Sequence, residues 1–315
     1  MINILQGSLS LGLLWAFMAI GVYLTYRILE MPDLSAEGSI ILGAGLAARL
    51  IANGFNPFAA TFLAMAIGSL AGLATGLLHT KLEIPPILAG ILTMIASYSI
   101  VIRVMGTSNV SLLRIDTIYT FLQNAGLTNR NATIILGFGL VVIACSILYW
   151  FFGTELGAAI RATGGNRNMA RALGINIDKM IIICLMISNG MIGLGGALVA
   201  QNQGYASVDM GAGTIIIGLA SVIIAEVLFK VRSFWARLGS LMFGATIYRL
   251  IIALVLEMGM APTDLRLFTA ITVATALSLP LIQRKIKGKL PQNLPKDEPT
   301  EPSDTNTGGI RNVKS

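Results

Sequence analysis

Charge is scarce in this chain: 12% of its 315 residues are Asp, Glu, Lys or Arg, where soluble domains carry roughly a quarter. A folded globule with so little charge could not keep a wet surface. Histidine occurs once, at His79, and cysteine twice, at Cys145 and Cys184. Both cysteines sit inside apolar runs and read as small buried hydrophobes; a disulfide framework or thiolate metal site needs more of them. His79 ends an apolar run beside Lys81 and reads as an interfacial residue. No nucleophile–base pair and no metal-ligand cluster stands out, so no catalytic residue and no metal site are expected. The phosphate-cradling pattern G-x-x-x-x-G-K-[ST] is missing as well, so ATP chemistry would have to come from another chain.

What the chain has instead is grease. It is 55% hydrophobic with mean hydropathy +0.78, and several apolar runs approach the roughly 20 helical residues that cross a hydrocarbon core. Lipid offers no hydrogen bonds, so the backbone must satisfy itself in helices or a closed barrel. The runs are continuously apolar rather than alternating, which predicts helices. The spans expected are Leu11–Leu29, Ser39–Ile51, Pro57–Leu78, Ile87–Val104, Ala132–Phe152, Met180–Ala200, Ile215–Phe229, Leu238–Leu256 and Leu267–Ile282. The fold class is therefore all-α, a polytopic membrane bundle of about eight to ten transmembrane helices. The first run lacks a basic leader and a small-residue cleavage site, so it reads as a span rather than a signal peptide. Residues 1–283 form the expected membrane domain. Residues 284–315, with four prolines and little apolar content, read as a disordered tail.

Lys and Arg set the orientation. Arg284, Lys285, Lys287 and Lys289 follow the last span and place the C-terminus in the cytoplasm. Counting back puts Lys81, Arg161, Arg167, Arg171, Lys179, Lys230, Arg232 and Arg237 inside as well. Arg103, Arg114, Arg130 and Arg266 fall outside. The chain thus reads as a multi-pass membrane protein with its C-terminus in the cytoplasm. Ser39–Ile51 is only 13 residues long. Either it is a short tilted span, or it is half of a broken helix whose start Asp33 or Ser35 caps.

One polar island interrupts the grease, TELGAAIRATGGNRNMARALGINID at residues 154–178. Thr154 can cap a helix, and Glu155 in its first turn suits the dipole. Gly164-Gly165 is expected to break that helix. Asn166 can cap a second one, Arg167–Leu173, ended by Gly174. Two short helices at an elbow would then turn Arg161, Arg167 and Arg171 toward water or a partner. An ordinary loop has no need of two caps.

The island resembles the cytoplasmic coupling segment of the ribose and branched-chain amino-acid permease family, the membrane subunits of bacterial ABC importers. MPDLSAEGSIILGAG (residues 31–45) is similar to that family's Asp-Leu-Ser stretch before a Gly-rich helix. Leu82-Glu83-Ile84-Pro85-Pro86-Ile87-Leu88 resembles its Pro-bearing span entry, and Gly190, Gly193, Gly195 and Gly196 its small-residue helix. Sugar permeases of the family tend to carry Gly-Gly late in the seventh span, where this chain has Ala225-Glu226, and Gly-Gly-Ile before Asp-Leu-Ser, which it lacks. That departure turns the expected solute toward the amino-acid-like, with an aromatic amino acid as the candidate.

The resemblance implies a type II ABC importer-like fold and alternating access. Its implied partners are two cytosolic ATP-binding-cassette ATPases, a second permease copy as a homodimer, an extracellular or periplasmic solute-binding protein, and membrane lipid. ATP and Mg would be used by the ATPases; no cofactor is expected on this chain. Glu155, Arg161, Gly164, Gly165, Asn166, Arg167, Arg171 and Gly174 would form the ATPase-coupling segment. Polar residues are costly at membrane depth and often functional, which makes Asp33, Ser35, Tyr98, Ser188, Asn189, Gln201 and Asn202 candidates for the solute path. Glu226 and Arg249 are also unusual: Glu226 can pair with Arg249 or, better, with Lys230 one turn on. Leu112, Ile115, Ile118, Tyr119 and Leu122 would form an apolar stripe on a short outer helix. The rival reading is an ion-coupled secondary transporter or channel, but mid-span carboxylates are few. The tail, with seven basic and four acidic residues, fits anionic lipid rather than nucleic acid.

Overall fold

A computed structural model describes residues 2–257, apart from residues 125 and 232, and scattered positions between 267 and 278. The ninth expected span and the C-terminal tail therefore lie largely or wholly outside the described residues, as does Arg266.

Eleven α-helices follow one another in the described residues, joined by short connections. Helix α1 (Ile2–Tyr23) runs into a π-helical turn, Leu24–Ile28. It begins well before the expected Leu11, because Asn3, Gln6, Ser8 and Ser10 do not stop a helix whose other residues are mostly apolar. Then come α2 (Ala36–Ala52), α3 (Pro57–Thr80) and α4 (Pro86–Met105). Proline opens both α3 and α4, where its missing N–H costs nothing. Asn56 caps α3 by accepting from the Phe58 N–H at 2.9 Å. The short α5 (Ile118–Gln123) precedes the long α6 (Asn129–Gly153). Helices α7 (Glu155–Gly165) and α8 (Arg167–Ala172) occupy the polar island. Helices α9 (Ile177–Gln203), α10 (Thr214–Phe229) and α11 (Phe234–Glu257) complete the bundle. Among the described residues seven helical stretches are long and apolar enough to cross a membrane. The architecture is an all-α polytopic bundle.

One small ladder went unforeseen. Strand β1 (Asn109–Ser111) pairs antiparallel with β2 (Tyr205–Ser207). It ties the α4–α5 connection to the end of α9. The expected outer stripe on 112–122 accordingly splits: the helix covers only Ile118–Gln123, and Leu112, Ile118 and Tyr119 turn inward and are buried.

Helices α1 and α9 are the most enclosed spans. Glycine makes this possible on α9. A Cβ on Gly193 would crowd Ala64 and Gly68 of α3, and one on Gly196 would strike the Ile40 carbonyl of α2. Small residues let backbones approach where no hydrophobic effect pulls helices together. The outer helices instead show bulk to their surroundings, such as Phe62 on α3 and Ile143 and Trp150 on α6.

The short second segment is one continuous helix of 17 residues, α2, longer than the expected Ser39–Ile51. It starts at Ala36, level with Asn189 halfway along α9, because Ser35 and Ser39 both reach that amide. Residues 29–35 approach it as irregular chain in which Leu29, Met31, Asp33 and Ser35 are buried while Glu30 and Pro32 are exposed. Non-helical backbone at membrane depth persists where protein encloses it.

Candidate functional site

Two regions gather the residues singled out by sequence: the elbow at one end of the bundle and a polar knot in its middle. At the elbow, Thr154 Oγ1 accepts from the Gly157 N–H at 3.4 Å and opens α7. Asn166 Oδ1 accepts from the Met169 N–H at 2.9 Å and opens α8. Gly174, at φ +79°, closes it. Two capped helices meeting at Asn166 are what the sequence led one to expect.

The reason for the glycine pair is different. Helix α7 runs through Gly164 and Gly165, and the break comes one residue later, at Asn166. Gly164 is there for proximity: a Cβ would overlap the Ile28 carbonyl oxygen, at the end of the π-helical turn. Gly165 has open space around it. The elbow is thus seated on the end of α1 through a side-chain-free contact.

Arg161 is also engaged within the chain rather than turned wholly outward. Its Nη2 donates to the Phe152 carbonyl at 2.9 Å, and its guanidinium lies 6.0 Å from the Phe234 ring centroid. A cavity of about 500 Å³ opens beside it, lined by Tyr149, Trp150, Thr154, Ser233 and Phe234. Glu155, Arg167 and Arg171 are exposed, and so are the apolar Met169 and Leu173. Mixed cationic and apolar exposure on a rigid, capped pair of helices is a surface suited to a protein partner. Glu226 pairs with neither Arg249 nor Lys230; it holds Arg27 at 3.0 Å, across from α10 to the π-helical turn. Lys81 and Asp178 form a second ion pair, at 3.2 Å, between the ends of α3 and α9.

In the core, Asp33, Ser35 and Asn189 come together, joined by Ser39, which the sequence reading had named only as the start of a span. Asp33 Oδ1 accepts from the Ser35 N–H at 2.9 Å and from the Ser35 hydroxyl. Asp33 Oδ2 accepts from Asn189 Nδ2 at 2.7 Å, and Ser39 Oγ donates to Asn189 Oδ1 at 2.6 Å. All four are buried. Three donors point at this carboxyl group, so its oxygens are not left unpaired in the core. Ser39 was legible in principle, four residues after Ser35 on the same helical face.

The remaining candidates are separate. Ser188 Oγ donates to the Gly21 carbonyl at 2.7 Å. Gln201 bridges Thr61 and the Ile118 N–H at 2.8 and 3.1 Å. Asn202 donates to Thr133 Oγ1 at 2.7 Å and lines a polar cavity of about 690 Å³ with Gln6, Ser10, Thr128, Arg130 and Gln203. Tyr98, half-buried on α4, stands near Gly211. Close by, Glu37 of α2 accepts from the Gly213 N–H at 3.0 Å.

Comparison with known proteins finds relatives over most of the chain. A tyrosine transport system permease protein of Clostridioides difficile is 40% identical over 267 residues, 85% of this chain and 88% of that one. An uncharacterised protein of Rickettsia prowazekii is 30% identical over 280 residues, 88% of this chain and 97% of that one. A galactose/methyl galactoside import permease protein of Escherichia coli is 28% identical over 245 residues, 72% of this chain and 70% of that one. Residues 4–276, from the first turn of α1 past the end of α11, match a single family, and the chain belongs to it: the branched-chain amino acid transport system / permease component family.

Proposed function

We propose that this permease is the membrane subunit of an ATP-driven importer for an amino-acid-like solute, with an aromatic amino acid as the candidate cargo. The observation that carries the coupling half of the reading is the elbow: two capped helices seated on α1 through Gly164, presenting Arg167, Met169, Arg171 and Leu173 outward. The solute half is supported by the tyrosine permease, 40% identical over most of both chains. In this reading two copies of the chain enclose the path, and each elbow seats in one of two cytosolic ATP-binding-cassette subunits. ATP binding closes the ATPase pair, and the elbow passes the motion to α1, α6 and α9. A solute-binding protein delivers the cargo at the opposite face. The elbow and the C-terminus are cytoplasmic, in keeping with the Lys and Arg distribution.

The test is co-purification from mild detergent, with neighbouring genes co-expressed, followed by uptake of labelled tyrosine in proteoliposomes. The reading expects one ATPase per permease and ATP-dependent uptake. A homo-oligomer with no ATPase that moves solute along an ion gradient would overturn it.

A further inference from the structure

Among the described residues three buried side-chain polar atoms have no hydrogen-bond partner: Ser8 Oγ, Trp15 Nε1 and Arg249 Nε. They are not scattered. Ser8 and Trp15 are two helical turns apart on α1, with Gly12 on the same stripe between them. A side chain at Gly12 would run into Thr246, so that stripe is the one packed on α11. Arg249 follows Thr246 by three residues on the same α11 face, and its guanidinium lies 4.0 Å from the Trp15 ring centroid.

The direction of the helices explains the meeting. Tyr23 and Arg27, at the end of α1, line one cavity with Arg237 and Ser240, at the start of α11, so the two helices run antiparallel. Side chains lean toward the N-terminus of their own helix, and Trp15 and Arg249 therefore lean toward each other. Trp15 lies at the middle of its span, Ile4–Ile28, and Arg249 about two-thirds of the way along Phe234–Glu257.

The chemistry of the cluster is one-sided. An indole N–H and a guanidinium can only donate, and a hydroxyl has a proton to give. The described ion pairs are Arg27–Glu226 and Lys81–Asp178, and neither involves Arg249. Arg249 as a residue is intermediate in exposure, while its Nε, like Trp15 Nε1 and Ser8 Oγ, is enclosed within the bundle. Unused donors around a cation at membrane depth match an anion rich in acceptor oxygens.

We propose that Arg249 and Trp15 form a carboxylate-binding site for the transported solute, with the Ser8 hydroxyl offering a polar contact two turns along α1. Stacking on Trp15 fixes the plane of the guanidinium. One edge of that fork then faces the carboxylate, and the indole N–H supplies a further donor. The assignment rests on the amino-acid reading of the solute, and the experiment separates the two.

The test uses the purified full-length chain in phosphatidylcholine nanodiscs, carrying Trp150→Phe and Trp235→Phe. Trp15 is then its sole tryptophan, since the sequence has three. Its emission is followed during titration with L-tyrosine, L-leucine or tyramine, which keeps the ring and ammonium of tyrosine but lacks the carboxylate. Saturable change with L-tyrosine is expected, with tyramine at least about tenfold weaker. Arg249→Gln should abolish the response. Arg249→Lys, which keeps the charge but loses the planar fork, should weaken it while eluting as the parent does. A response to L-leucine but not to L-tyrosine would support the carboxylate site and refute the aromatic solute. Equal responses to tyramine and L-tyrosine would overturn the site, as would an unchanged response in Arg249→Gln. A response only to phosphatidylglycerol in the nanodisc would overturn it in favour of a lipid phosphate. No response to any amino acid, with the assembled transporter still importing tyrosine in Arg249→Gln, would overturn the site and leave the importer standing.

Discussion

At the residue scale the fold spends its few intramembrane polar groups mostly on one another. Asn189 joins Asp33 to Ser39 by bonds of 2.7 and 2.6 Å, and so ties the non-helical segment 29–35 to the middle of α9. Asn189→Ala would leave a carboxylate oxygen short of its donor and a hydroxyl short of its acceptor. That costs about 1–3 kcal/mol, and the melting temperature of the purified protein should fall measurably. Asn189→Asp should be worse, because it sets a second carboxylate against Asp33 where neither can be hydrated; membrane-integrated yield is the readout. Asp33 and Asn189 were legible as costly polar residues at depth. That they bond each other was not, because 156 residues separate them and nothing local encodes the pairing.

At the element scale the elbow offers a paired test of why its glycines are there. Gly164→Ala should dislodge α7 from the Ile28 carbonyl and lower ATP-dependent uptake several-fold. Gly165→Ala, with open space around it, should be neutral or slightly stabilising, in line with the roughly 1 kcal/mol by which alanine outranks glycine in a helix. Equal effects of the two in a transport assay would refute the contact account. The caps at Thr154 and Asn166 were readable from residue type and spacing, because capping is local chemistry. The glycine pair was misread as a break for an instructive reason. Conformational freedom can be inferred from sequence, whereas close approach requires knowing what lies opposite, here the end of a helix more than a hundred residues earlier. Arg161 follows the same rule: its partners Phe152 and Phe234 become neighbours only when α6 and α11 meet.

At the scale of the whole molecule the proposed division of labour makes two predictions. Reversing both Arg167 and Arg171 to Glu should leave the bundle folded, since both side chains are exposed. ATPase co-purification should drop by about tenfold or more if each charge contributes on the order of 1 kcal/mol to docking. A double mutant that keeps its ATPase and transports normally would refute the docking role of the elbow. Truncation after Lys289 should leave uptake largely intact, because the composition beyond it cannot bury enough apolar area to pack. Loss of assembly in that truncation would instead assign the tail a partner.

Composition alone decided the solvent, and through it the fold class. With so little charge and so many apolar runs, lipid is the surrounding in which the chain can fold, and lipid requires helices whose backbone groups satisfy themselves. Residue spacing decided the ends of the elbow helices, because caps act within one turn. Which polar groups face one another across the bundle was decided by tertiary packing. The Asp33–Asn189 bond, the Arg27–Glu226 pair and the stacking of Arg249 on Trp15 all join distant segments. In lipid a polar group must find its partner inside the protein or in a ligand. The fold alone says which groups have found one and which, like Arg249, still present unused donors.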